Sequence, residues 1–374
     1  MPMPEPRSRL RHWTAIEGLP ILVVLLVIIG IFMITAPSSF LGPRIYMSFL
    51  ATVPPALILG LGLTLVIAAG EIDLSFPSVV KMSGITFAML TKFVAFPMDA
   101  GDDMIVEPGE ASHLLPWLFV GAAVAVGAAI GFLNGILVAV IGIPSIIATL
   151  AMLFVFEGLS LIIGSGQQYS LRGIDEYSVH AMLTGRIGPV PVQAIWGLVL
   201  AALIWLILNR HRFGEHLLFI GDNQNVARVV GINVEGEKIR LFTLMGALGA
   251  IAGVLVTLEN RNFYTTQGTY TTQGTGFLLI VMAAVFIGGT AISGGKGSVV
   301  GTLFGSYIVG CIEAGIVASG LGGYWTRLVI GLVFLAAVVF HLTLEDPSRL
   351  RRIAGFRPGG MLARRATPSA PRPP

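Results

Sequence analysis

The chain has 374 residues, of which 55% are hydrophobic and only 11% are charged, with a formal net charge of +3. Ordinary soluble domains carry about 25% charged residues, so a soluble protein of this composition could not cover its surface with polar groups. Most of the surface must face lipid, and the single cysteine, Cys311, excludes a disulfide framework and a cysteine-based metal site.

Apolar stretches of roughly 20 residues, long enough to cross a bilayer as helices, recur along the chain. The first begins at Leu19, and no small-residue cleavage site with a soluble domain follows it, which indicates an uncleaved span. The third contains Lys81 and Lys92 and starts at Phe76-Pro77, which is typical of a tilted or partly re-entrant helix. The predicted spans are 19–36, 46–69, 75–96, 116–140, 144–165, 192–209, 239–259, 275–293, 298–319 and 325–343.

The charge of the loops predicts the orientation of this all-α, polytopic transmembrane bundle of about ten spans. With both termini in the cytoplasm, loop 97–115 lies outside and contains five acidic residues and no Lys or Arg. The inner segments are basic, as the positive-inside rule expects. Their basic residues are Arg210, Arg212, Arg228, Lys238, Arg240, Arg349, Arg351, Arg352, Arg357, Arg364 and Arg365.

Three regions follow from this pattern. Residues 1–18 form a cytoplasmic N-terminal tail, residues 19–343 form the membrane domain, and residues 344–374 form a basic cytoplasmic tail. The C-terminal tail is rich in Pro, Gly and Arg, and we expect it to be disordered because it has no apolar surface to bury.

Glycines recur at four-residue spacing inside several spans. Such small residues let helix backbones approach closely in a membrane, so these positions predict helix packing. They are Gly127, Gly131, Gly135, Gly249, Gly253, Gly297, Gly301 and Gly305.

Segment 69–78 interrupts the apolar pattern between the second and third spans. It contains two carboxylates, Glu71 and Asp73, followed by Ser75 as the expected N-cap and by Pro77 near the start of the next helix. One interpretation is a broken-helix element beside a transport path, where amides and acids bind a solute. The other is a capped turn that only fixes helix geometry.

Three polar residues lie within apolar spans. Asn134, Thr149 and Glu157 should face the bundle interior or a water-filled cavity, because a polar group facing lipid costs free energy. Glu157 either functions in transport or is an interfacial carboxylate. With Glu71, Asp73 and Ser75, these residues form the predicted translocation path, while Gly142–Thr149 is expected to be a tight turn with Pro144 at a helix start.

The longest inner loop, 213–240, predicts a short amphipathic helix. Charged and apolar residues alternate over 223–230, and Gly231 follows as a helix terminator. The apolar residues of this helix need a partner, which is either the bundle or another cytoplasmic protein.

The sequence matches neither the phosphate-loop pattern of a nucleotide site nor the paired histidine spacing of a metal site. The stretch Gly288–Ser298 departs twice from the phosphate-loop pattern, with Thr290 and Gly297 at two required positions, and no strand precedes it. The six histidines show no paired spacing for a metal. We therefore expect no enzyme activity, no metal and no bound cofactor, and any ATP that drives transport must be hydrolysed by another chain.

Four segments in order resemble the permeases of bacterial ATP-binding cassette (ABC) importers for ribose, xylose, galactose and related simple sugars. The resemblance covers about residues 20 to 343. The matching segments are Gly70–Ser78, Pro144–Leu150, the set Gly221, Asn223, Ala227, Arg228, Gly231 and Ile232, and Ile287–Ser298. The chain departs from the family at Glu71, Phe76, Pro77, Val226 and Val230.

The resemblance implies that segment 221–232 couples to an ATP-binding subunit, through Gly221, Asn223, Ala227, Arg228 and Gly231. It further implies a second permease copy or a sister permease, a periplasmic solute-binding protein, a bacterial inner-membrane location, and ATP and Mg²⁺ used by the partner subunit.

The expected solute is a monosaccharide or polyol, with a nucleoside, an amino acid or a signalling furanone as alternatives. A different class remains open, namely a stand-alone secondary transporter driven by protons through Glu157 or Asp73. A membrane scaffold without transport is the third alternative, and polar residues buried in mid-span argue against it.

Overall fold

The computed structural model describes residues 18–92, 113–265 and 276–345, and most of them are helical. Both tails beyond these ranges, and most of the acidic loop 97–115, lie outside the described residues. The helices are α1 (Leu19–Thr35), α2 (Pro37–Phe40), α3 (Pro43–Thr52), α4 (Pro54–Ala68), α5 (Phe76–Leu90), α6 (Leu115–Ala139), α7 (Ser145–Gly164), α8 (Ser178–Leu183), α9 (Val192–Arg210), α10 (Arg212–Asp222), α11 (Gln224–Val229), α12 (Val234–Asn260), α13 (Gly276–Ile287), α14 (Val299–Ala318) and α15 (Tyr324–Glu345).

Short strands accompany the helices and were not predicted. Strand β1 (Gln168–Ser170) pairs antiparallel with β4 (Asn262–Tyr264), and β2 (Arg186–Ile187) pairs antiparallel with β3 (Val190–Pro191). Each strand has three residues or fewer, too few to give the period-two signal on which strand prediction depends.

The chain is an all-α, multi-pass membrane protein. In the described part of the chain, α6, α7, α9, α12 and α14 are long and apolar enough to cross a membrane, and the bent pair α3–α4 makes a sixth if it is one span. Shorter apolar helices occupy the remaining predicted spans. Every one of the ten predicted stretches thus contains a helix, and the count of ten spans stays a prediction.

The predicted span 46–69 is two helices rather than one. Helices α3 and α4 meet at Val53 with a bend of 48°. Pro54 and Pro55 follow the break, and proline breaks a helix because it lacks the amide hydrogen and clashes with the preceding turn. The same prolines are tolerated in the first turn of α4.

Helices α4 and α12 form the centre of the bundle. All fifteen residues of α4 are buried, and seventeen of the 27 residues of α12 are buried. Helix α12 packs against α4, α5 and α6. At about 1.5 Å per residue, the 27 residues of α12 make a helix about 40 Å long.

The glycines at four-residue spacing lie where helix backbones approach each other. A Cβ atom on any of the eight would meet a neighbouring atom at 3.1 Å or less. The three glycines of α6 face α12, and the two of α12 face α5. Gly297 faces α4, whereas Gly301 and Gly305 face the end of α13 and the residue that follows it, Gly288. Gly127, Gly131 and Gly253 each lie against a backbone carbonyl of the neighbouring helix, that of Gly246, Phe242 and Val80 respectively.

Candidate functional site

The segment between α4 and α5 is irregular and is held in place by α7. Helix α4 ends at Ala68, and Gly70 has φ +78°, a left-handed conformation that favours glycine. The amides of Ile72 and Leu74 donate to Ser145 Oγ at 3.1 Å and to Thr149 Oγ1 at 3.0 Å. Two hydroxyls at the start of α7 therefore satisfy backbone donors that a continuous helix would have satisfied itself.

Asp73, Ser75 and Asn134 form a buried hydrogen-bonded group, here called the Asp73 cluster. Asp73 Oδ1 accepts from Ser75 N at 2.7 Å and from Ser75 Oγ at 2.6 Å, and Asn134 Nδ2 donates to Ser75 Oγ at 2.6 Å. The three residues are at most 1% exposed. The cluster ties the irregular segment to the C-terminal third of α6.

Ser75 is the N-cap residue of α5, as predicted, but its side chain makes no capping hydrogen bond. Its hydroxyl donates to Asp73 instead of accepting from the first amides of α5. Pro77, at the second position of the helix, has no amide hydrogen to offer, and the amide of Ser78 already donates to the Ser75 carbonyl at 2.9 Å.

Glu71 and Glu157 lie apart from the Asp73 cluster, each in its own ion pair. Glu71 Oε1 lies 2.5 Å from Lys238 Nζ, and Glu157 Oε1 lies 3.8 Å from Lys81 Nζ. The Lys81 side chain is 3% exposed and that of Glu157 is 22% exposed. The six predicted path residues thus divide among three places, with Thr149 beside the Asp73 cluster.

A cavity of about 550 Å³ lies elsewhere in the bundle, and none of the six predicted path residues lines it. Its volume is typical of small-molecule sites. The described lining combines apolar side chains with hydroxyl, amide and carboxyl groups and includes no Lys, Arg or His. The polar lining residues are Ser39, Ser48, Thr52, Gln193, Glu259, Asn260, Ser306 and Glu313.

Gln193 is the most buried of these polar groups. It is 0% exposed and donates through Nε2 to Glu259 Oε2 at 2.5 Å. Its Oε1 has no hydrogen-bond partner among the described residues. A buried acceptor costs free energy unless it is paired, and this unpaired acceptor belongs to a residue that lines the cavity.

Sequence reasoning missed this cavity although the signal was present. Gln193, Glu259 and Glu313 are polar residues in or at the end of apolar helices, which is the argument that selected Glu157. Gln193 and Glu259 lie near helix ends, where a polar residue also fits the interface. Only the three-dimensional structure shows that Gln193 of α9 and Glu259 of α12 meet.

A smaller cavity of about 230 Å³ lies at the opposite end of α12. It is lined by charged and polar residues of the irregular segment, α7, α11 and the start of α12, among them Glu71, Ser145, Gln224, Arg228, Glu235 and Lys238. At about 1.5 Å per residue, Lys238 and Glu259 on α12 are about 30 Å apart along the helix.

Between the end of α9 and the start of α12 the chain forms two helices, α10 and α11, where loop 213–240 was predicted to contain one amphipathic helix. Asn223 caps α11, since its Oδ1 accepts from the amides of Asn225 and Val226 at 3.0 and 3.2 Å. Gly231, with φ +89°, follows its end. Helix α10 was missed because its apolar residues stand next to the charged Arg212 and Glu215.

Of the five predicted coupling residues, Asn223, Arg228 and Gly231 are exposed, whereas Gly221 and Ala227 are packed against the rest of the protein. Gly221 packs against the backbone of Ala68 and Gly295, Ala227 is 1% exposed, and Arg228 pairs with Glu235 at 2.7 Å. The exposed apolar face of α11 consists of Val226, Val229 and Val230, which are 53%, 87% and 65% exposed. We call these three residues the valine face.

Among the residues that the structure describes, no three His, Cys, Asp or Glu residues lie together as a possible metal site. The comparisons below likewise indicate no family of enzymes.

Comparison with known proteins identifies the family. The family model for the permease component of branched-chain amino acid transport systems matches residues 45–338. The ribose import permease of Escherichia coli K12 is 32% identical over 325 residues, covering 85% of this chain and 91% of the relative. The Bacillus subtilis ribose import permease is 31% identical, covering 86% of this chain and 90% of the relative. No solved structure matches the chain.

A third relative, the fructose import permease of Rhizobium meliloti, is 28% identical and covers 88% of this chain and 87% of its own length. These findings confirm the resemblance drawn from the four sequence segments. They do not favour a secondary transporter or a scaffold. The chain belongs to the permease subunits of ABC importers, in the branch that includes the simple-sugar permeases.

Proposed function

We propose that the chain carries a monosaccharide or polyol through the bilayer into the cytoplasm. The observation that supports this most is the 550 Å³ cavity, whose described lining offers hydroxyl, amide and carboxyl groups without a basic side chain. A neutral polyhydroxylated solute can exchange hydrogen bonds with such groups. Aromatic residues Phe49 and Phe277 give the cavity an apolar wall. The relatives named for ribose and fructose import support the same class.

Energy for transport comes from a separate ATP-binding subunit, which uses ATP and Mg²⁺ and docks on α11. The valine face supports this, because three exposed valines on one short cytoplasmic helix need an apolar partner. The permease pairs with a second copy or a sister permease and receives solute from a periplasmic binding protein. The location is the bacterial inner membrane.

We further propose that the chain crosses the membrane ten times and that both termini lie in the cytoplasm. Helix α12 has 27 residues, about 40 Å of helix, which is enough to separate the two sides of a bilayer. Asn225 lies before its start, and Asp175 pairs with Arg261 just after its end at 3.6 Å. These two exposed positions report on opposite ends of one span.

Single cysteines at these positions test the orientation. In a Cys311→Ser background, a membrane-impermeant maleimide added to intact cells should label Asp175→Cys and leave Asn225→Cys unlabelled. After the membrane is permeabilised, both should react, since both side chains are exposed. Labelling of only position 225 in intact cells would reverse the orientation, and equal labelling of both would contradict α12 as a span.

Uptake by the assembled transporter tests the solute path. Vesicles that contain the permease and its ATP-binding subunit, supplied with the binding protein, should accumulate labelled D-ribose or D-fructose only with ATP. Gln193→Leu should reduce uptake roughly tenfold, the effect of about one lost buried hydrogen bond. Gln167→Leu, an exposed glutamine outside the cavity lining, is the control and should retain uptake. Uphill uptake by the permease alone under a pH gradient would contradict the proposal.

A further inference from the structure

One buried ion pair connects α11 and α12 with the irregular segment 70–75. Lys238 Nζ lies 2.5 Å from Glu71 Oε1, and the two side chains are only 7% and 12% exposed. The same ammonium group donates to Gln224 Oε1, in the first residue of α11, at 3.2 Å. Lys238 is therefore in contact with both α11 and the irregular segment.

A backbone contact joins the same two regions. Gly221, in the last turn of α10, packs so closely that a Cβ atom there would overlap the Ala68 carbonyl oxygen. The Gly295 amide donates to that carbonyl at 2.9 Å. A Cβ atom on Gly70 would lie 3.4 Å from the Gly221 Cα. The turn that carries Glu71 thus rests on the end of α10, immediately before α11.

The far end of the irregular segment reaches the bundle interior. One residue after Glu71, the amide of Ile72 donates to Ser145, and two residues after it Asp73 begins the Asp73 cluster. The 230 Å³ cavity lies directly beside the ion pair, lined by Glu71, Lys238 and Gln224 among others. The ion pair therefore adjoins free volume, whereas the Asp73 cluster is fully buried.

We propose that Lys238 is a positioning residue that passes displacement of α11 to segment 70–75 through its ion pair with Glu71. The proposal rests on the docking of an ATP-binding subunit on α11. A buried ion pair resists separation, because either charge left alone in a low dielectric is strongly unfavourable. When α11 moves, Gln224 displaces the Lys238 ammonium group, and Lys238 in turn displaces Glu71. The backbone between Glu71 and Asp73 then moves with Glu71.

Hydrogen exchange in the assembled transporter tests this without knowledge of the solute. The permease with its ATP-binding subunit, in lipid nanodiscs, is compared in the nucleotide-free state and with ATP plus vanadate. In the wild type, amide exchange should change in two peptides, 221–231 and 69–76, by about tenfold, since exchange reports local opening. In Lys238→Gln the change in 221–231 should persist and most of the change in 69–76 should be lost, although the contact of Gly221 with Ala68 remains.

Two further variants separate coupling from loss of folding. The double variant Glu71→Lys with Lys238→Glu restores the pair in reversed order, and the Gln224 amide can donate as well as accept, so the response in 69–76 should return. Asp175→Asn removes the Asp175–Arg261 pair at the other end of α12 and should leave both responses unchanged.

The outcomes distinguish this inference from the proposed function. A wild-type transporter without any change in 221–231 would overturn the docking of the ATP-binding subunit, and this inference with it. A response in 69–76 that survives in Lys238→Gln would overturn the role of Lys238 alone. Failure of the reversed pair to restore the response in a folded complex would show that the link is not the ion pair.

Discussion

Replacing Gly131 with valine should prevent correct packing of the bundle. A side chain at this position of α6 would overlap the carbonyl oxygen of Phe242 on α12, so the two helices would have to separate. Overpacking of this kind costs about 3 kcal/mol when the obstacle is backbone that cannot move aside. We expect a large loss of monodisperse protein on size exclusion and a clearly lower midpoint of thermal aggregation in detergent.

Gly121→Val is the matched control, because it lies on the same helix and a Cβ atom there meets nothing within 4 Å. Its effect should stay within about 0.5 kcal/mol, as for exposed substitutions. If Gly131→Val and Gly121→Val lost the same amount of monodisperse protein, the clash with Phe242 would not be the cause, and the loss of a glycine would explain the effect by itself. Gly246→Val, on the α12 side of the same contact, should reproduce the result of Gly131→Val.

The helices and their closest contacts follow from local properties of the sequence. A membrane span is recognised by its own apolar length, and a four-residue glycine spacing is visible within one helix. The positions of Gly131 and Gly253 on helix interfaces therefore needed no knowledge of the partner helix. The start of α7 after Pro144 is likewise a local feature.

Features that depend on two distant segments could not be predicted. Gln193 and Glu259 are 66 positions apart, and Glu71 and Lys238 are 167 positions apart, by the difference of their numbers. The sequence identified Glu71 as unusual but offered no means to choose its partner among the basic residues. The contact between Ser75 and Asn134 was missed for the same reason, since the two residues are 59 positions apart.

The predicted path residues lie apart from the 550 Å³ cavity, and this separation indicates different roles for the two groups of polar residues. A group that binds a solute transiently must exchange hydrogen bonds with it, and Gln193 has an unpaired acceptor beside a cavity. Asp73 and Ser75 instead line neither of the two cavities, and Asp73 accepts from both the amide and the hydroxyl of Ser75. This arrangement favours a structural duty for the Asp73 cluster, that of fixing the irregular segment against α6.

Removing the Asp73 carboxylate should therefore lower stability more than any other single change in segment 70–75. In Asp73→Ala, the amide and hydroxyl of Ser75 both lose their acceptor in a fully buried place. Each unsatisfied buried donor costs about 1–3 kcal/mol, so the free energy of unfolding should fall by about 3 kcal/mol. Asp73→Asn keeps one acceptor oxygen and should cost about 1 kcal/mol. Thermal unfolding in detergent measures both.

Asp175→Ala serves as the control, since its carboxylate is 45% exposed and pairs only at the surface. We expect its effect to be below about 1 kcal/mol. ATP-driven uptake of D-ribose by the assembled transporter then separates structure from transport. Asp73→Asn should retain most uptake, because the cluster keeps its geometry. If Asp73→Ala is as stable as the wild type and only uptake is lost, the carboxylate contacts the solute directly, and the structural duty argued here is wrong.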